Sequence, residues 1–118
     1  MRKYIFVSLG PVVAILLSAV ISERNRLALF YPEGHKSSGK ILGAGVGMSA
    51  PQFRSAIESR GFTFVKRDRG ESGCPRYRVR AESVDVFLDQ TWRKGVICAG
   101  STGGKVITIA WYFDPLTP

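Results

Sequence analysis

Residues Tyr4 to Ile21 read YIFVSLGPVVAILLSAVI, eighteen positions without a charge. A helix of that length rises roughly 27 Å, close to the thickness of a hydrocarbon core. Arg2 and Lys3 precede the run, and the polar stretch Ser22-Glu23-Arg24-Asn25-Arg26 ends it. Two readings follow. A cleaved signal peptide would be cut near Ser18–Ser22, where small residues gather; an uncleaved anchor would keep the whole segment. The run is longer than a usual signal core and lacks an Ala-x-Ala site, which favours the anchor. A buried helix of a soluble domain fits poorly, because a stretch apolar all round needs cover on every side. Gly10-Pro11 is the place for a kink. Arg2, Lys3 and the terminal amine point to an inside N-terminus. The expectation is therefore a single-pass protein of the cytoplasmic membrane with its C-terminal domain outside, periplasmic or secreted if cleaved.

The remaining chain is divided accordingly: 1–22 anchor or signal segment, 23–40 linker, 41–118 folded domain. Glu33 to Lys40 (EGHKSSGK) has the Gly, Ser and charge content of a connector. A domain of about 75 residues buries a modest core and benefits from a cross-link. Apolar residues at 45% of the chain, with both Trp92 and Trp111, mark a globular rather than a disordered composition.

Ser49 to Arg60 carries the strongest helix signal in this domain. Ser49 and Gln52 have the spacing of a capping box, Pro51 suits the first turn, and Gly61 stands where a helix stops. Phe53, Ala56 and Ile57 share one face at helical spacing. After Gly61 the period changes to two. Phe62 to Val65, Arg76 to Arg80, Val84 to Asp89, Val96 to Ala99 and Lys105 to Phe113 read as strands, with a hairpin turn at Ser101-Thr102-Gly103-Gly104. The expected fold class is α+β: an N-terminal transmembrane or signal helix, then one helix packed on a four- or five-stranded antiparallel sheet.

Chemistry-bearing residues are sparse. Cys74 and Cys98 are the only cysteines, and in an exported domain they are expected to form a disulfide. With the single histidine, His35, distant in the linker, they give no metal-ligand spacing and no rigid nucleophile–base pair. Ala99 to Val106 resembles a phosphate loop only superficially: Ala99 replaces the first glycine, Val106 replaces the final hydroxyl residue, and a strand follows. The glycines at 43, 45 and 47 lack a dinucleotide fingerprint. No catalytic residue, metal ligand or cofactor is assigned. The charge balance, 17 Lys plus Arg against 9 Asp plus Glu, favours anionic neighbours. In extended form Arg76, Arg78 and Arg80 project together, with Lys66, Arg67 and Arg69 close in sequence, as a candidate anion-binding face or as simple edge protection.

Gly47-Met48-Ser49-Ala50-Pro51-Gln52-Phe53, with Ile57 beyond, resembles the opening of the small-protein-A/outer-membrane-lipoprotein family, whose fold is shared by β-lactamase inhibitor protein. The chain departs from that pattern in the three residues Glu58-Ser59-Arg60 before Gly61 and in having no lipobox cysteine. The resemblance implies an envelope protein that binds other proteins rather than an enzyme. The expected role is thus a non-catalytic, membrane-anchored interaction or assembly-accessory module with an envelope protein partner. The alternative is a domain that binds anionic lipid or polysaccharide through Arg76, Arg78 and Arg80; nucleic acid does not fit an extracytoplasmic address.

Overall fold

The computed structural model describes residues 23–90 and 94–114. Helix α1 covers Glu23–Phe30, followed by β1 (Glu33–Lys36), the two-residue strands β2 (Lys40–Ile41) and β3 (Ala44–Gly45), and helix α2 (Ala50–Glu58). The long strands β4 (Thr63–Cys74), β5 (Tyr77–Leu88), β6 (Val96–Thr102) and β7 (Lys105–Tyr112) complete the order. Five strands form one antiparallel sheet in the order β1-β7-β6-β5-β4, while β2 and β3 make a separate ribbon.

Alternation gives the sheet two apolar faces, and each is covered by a different element. On the front, Phe87, Ile97, Ala99, Ile109 and Trp111 are buried against Phe53 and Ile57 of α2. The helix forms where its local signals place it. The Ser49 hydroxyl accepts from the Gln52 amide while the Gln52 side chain accepts from the Ser49 amide, and Pro51 occupies the first turn. Such a cap stabilises a helix by about 1 kcal/mol. Gly61, with φ of 94°, turns the chain out of the helix in a conformation that other residues rarely adopt.

The back face holds Val84, Val86, Cys98 and Ala110. Its cover comes from the far half of the β4–β5 hairpin. Pairing skips one residue of β5: Arg69 faces Ser83, but Gly70 faces Ala81, leaving Glu82 unmatched. A bulge of this kind bends the strand and reverses which side chains point to each face. Val79 and Ala81 consequently join Val84 and Val86 on the back instead of opposing them. The hairpin beyond the bulge, residues 70–81, forms an arm that crosses behind the sheet. Gly100 of β6 marks the closest approach: a Cβ there would lie 2.9 Å from Val79 Cγ1 and 3.0 Å from Ala81 Cβ. Farther along, Tyr77 packs on His35 with ring centroids 4.8 Å apart, and Arg76 reaches Glu33 at 3.1 Å and lies over the Tyr112 ring. The tip has thus reached β1 and β7, at the opposite side of the sheet from β4.

Several expectations need correction. Among the described residues no helix is long and apolar enough to cross a membrane. Helix α1 has eight residues, about 12 Å of rise, and opens with the charged sequence ERNR; α2 has nine and is amphipathic. The stretch from Tyr4 to Ile21 lies outside the described residues. The transmembrane or signal helix, single-pass anchoring, the membrane as a partner, the cytoplasmic-membrane localisation and the membrane-anchored envelope role have no spanning helix to rest on here and are withdrawn. Among the described residues the fold is an α+β domain with a five-stranded antiparallel sheet and two short helices. Part of the expected linker is also ordered structure. Glu33–Lys36 pairs with β7, Ala28 is buried, and the Trp111 indole donates to the Tyr31 carbonyl at 2.9 Å.

Candidate functional site

Cys74 and Cys98 form a disulfide. Cys74 ends β4 at the arm tip, whereas Cys98 lies mid-β6 between Val86 and Ala110. Both are buried, so the bond belongs to the back core and holds the arm against it.

The three arginines expected on one strand face are not equivalent. Arg76 belongs to the two-residue turn Pro75-Arg76 that joins β4 to β5, and its φ is 73°. Proline supplies the first central position of such a turn, but the second normally takes glycine or asparagine. Contacts with Glu33 and Tyr112 hold Arg76 in that conformation and direct it toward β1. Arg78 and Arg80 do share a face, with side chains 77% and 76% exposed. They flank Glu71 on the paired strand, Arg78 Nη1 at 3.3 Å from Oε1 and Arg80 Nε at 3.1 Å from Oε2. At this exposure each contact contributes little stability.

The strip continues onto β4, where sequence reasoning assigned Arg67 and Arg69 only to the neighbourhood. Register places Arg69 opposite Ser83 and Arg67 opposite Asp85, on the same outward side as Arg78 and Arg80. Arg67 grips buried Asp85 in a two-point contact, Nε to Oδ1 at 2.6 Å and Nη2 to Oδ2 at 3.0 Å. The hydrogen bond first, and the carboxylate charge second, hold the Arg67 guanidinium more firmly protonated than usual. Arg67 is therefore committed to the structure, because leaving buried Asp85 unpaired is strongly unfavourable. Arg69 is exposed and has no ion pair among the described residues. Glu82, between the two arginine pairs, accepts from the Gly103 amide at 3.0 Å and anchors the bulge to the β6–β7 turn. On the opposite side of β4 the Ser72 hydroxyl, followed by Lys66, keeps Asp68 ionised below the usual carboxylate range.

Comparison of the chain with family models, with curated proteins and with solved structures finds no match.

The strip itself limits what it can do. Arg69, Arg78 and Arg80 lie along an extended, twisted ribbon rather than around a cavity. The hollow lined by Arg67, Arg69, Glu82 and Ser83 is open, about 390 Å³ in volume. No cluster of three or more His, Cys, Asp or Glu side chains among the described residues is arranged for a metal ion. His35 lies against Tyr77 on the arm's inner side, away from the strip. Such a surface suits contact with another macromolecule rather than enclosure of a small substrate.

Proposed function

We propose that this chain is a non-catalytic binding domain whose disulfide-held arm docks a predominantly acidic face of mixed sign on another protein. The observation that carries this reading is the outward alignment of Arg69, Arg78 and Arg80 on a ribbon fixed at both ends. Arginine is enriched among the residues that dominate protein interfaces, since its planar head binds carboxylates at two points. Glu71 between Arg78 and Arg80 gives the strip alternating sign. A uniform polyanion meets repulsion at Glu71, whereas a protein face of mixed sign can match it. The arm is also preorganised, which limits the ordering cost of association. The resemblance of Gly47 to Ile57 to the small-protein-A/outer-membrane-lipoprotein family implies the same class of role.

Photo-crosslinking tests this. A photoreactive residue at position 69 or 80 should yield a discrete adduct with an acidic protein, and the same residue at position 58 on α2 should not. With the photoreactive residue at position 69, Arg78→Glu combined with Arg80→Glu should reduce the adduct by tenfold or more, because reversed charges at a complementary interface repel. Adducts of equal yield from all three positions, or unaffected by the charge reversal, would contradict the assignment.

A further inference from the structure

A second surface, on the front side and remote from the arm's outer strip, has the makings of a small-molecule site. Arg26, Leu27 and Tyr31 from the α1 segment, Lys36 from β1, and Lys40, Ile41 and Leu42 from the β2 ribbon line a groove of about 360 Å³. That volume lies at the small end of ligand pockets. Its floor is apolar: Ile41 and Leu42 are buried and Leu27 is partly so. Leu42 opens the two-residue turn between Ile41 and Ala44 with a φ of 51°, a conformation unfavourable for a leucine. Its burial in the core explains why that backbone is retained, and it fixes the floor in place.

The rim carries three cations and no described carboxylate. Lys36 Nζ is already positioned there, donating to the Lys40 carbonyl at 3.2 Å and lying 5.9 Å from the centroid of the Trp111 ring. Glu33, the acid on the same strand, projects to the back and is engaged by Arg76. Strand alternation thus separates the acid from Lys36. An apolar floor under a rim of three cations with no carboxylate among the described lining residues complements a ligand with an apolar body and one anionic end. We infer that this groove binds a small amphipathic monocarboxylate.

Octanoate, titrated into the full-length oxidised chain and followed by amide chemical shifts, is the direct probe. Saturable shifts are expected at Tyr31, Lys40, Ile41 and Leu42, with a dissociation constant on the order of 1 mM for a ligand of this size. Octyltrimethylammonium, with the same tail and opposite charge, should bind at least tenfold more weakly. Acetate, without the tail, should do likewise. Lys36→Gln and Lys40→Gln remove charge from exposed positions and should each weaken octanoate about fivefold. Comparison with N-acetyl-leucyl-leucine separates two sources of the same chemistry, the tighter ligand identifying a fatty-acid chain or a peptide C-terminus. Equal shifts with octanoate and octyltrimethylammonium, or shifts unaffected by both lysine variants, would overturn the inference.

Discussion

Replacing both cysteines, Cys74→Ala with Cys98→Ala, is expected to lower the stability of the domain by about 3.5 kcal/mol. The bond joins positions 24 residues apart, and closing a loop of that length removes this much chain entropy from the unfolded state. A small domain has a total stability not far above that figure. The midpoint of thermal unfolding should therefore fall by on the order of 20 °C, read by circular dichroism. A second consequence is specific to this architecture. Without the bond the arm is held by Val79, Ala81 and Tyr77 against the back face, by Tyr77 on His35, and by Arg76 on Glu33 and the Tyr112 ring. Opening the arm exposes Val84, Val86 and Ala110, so the variant should bind a hydrophobic dye below its unfolding midpoint while wild type does not. An unchanged midpoint with no dye binding would show that the arm does not depend on its disulfide.

The front core has its own most sensitive position. Phe87 is fully buried, with its ring 6.0 Å from that of Phe53 on α2 and 5.8 Å from that of Phe64 on β4. It links the helix, the hairpin root and the sheet centre. Phe87→Ala should cost about 3–5 kcal/mol, combining lost burial with the cavity left between three elements that cannot close together at once. Urea denaturation should show a lower midpoint at unchanged slope. Val65→Ala serves as the control: Val65 is 48% exposed on the edge strand and its truncation should stay within about 0.5 kcal/mol. Comparable losses at both positions would mean that the core is not organised around Phe87.

The local part of this fold was legible in the sequence, and the nonlocal part was not. Ser49, Pro51, Gln52 and Gly61 act within one helix, so their spacing alone locates it. The β6–β7 hairpin is similarly local, with Gly103-Gly104 between Thr102 and Lys105. The bend at Glu82 depends instead on where Gly100, Cys98 and the back face lie, and no periodicity within β5 announces it. Reading Arg76, Arg78 and Arg80 as one alternating set misses that Pro75 ends β4 and puts Arg76 in a turn. The proline was a usable signal, since it belongs at the first central position of a turn. Strand β1 carries almost no strand propensity in EGHK. It is held by pairing with β7 and by Trp111 packing over Gly34, neither visible in its own four residues.

Whether residues 70–81 cross behind the sheet can be read from nuclear Overhauser effects in the oxidised chain. Strong cross-peaks between the Val79 methyl protons and the Gly100 α-protons are predicted, because Val79 Cγ1 lies 2.9 Å from where a Cβ on Gly100 would stand. A hairpin extending away from β6 would leave those protons beyond detection, and their absence would contradict the placement of the arm.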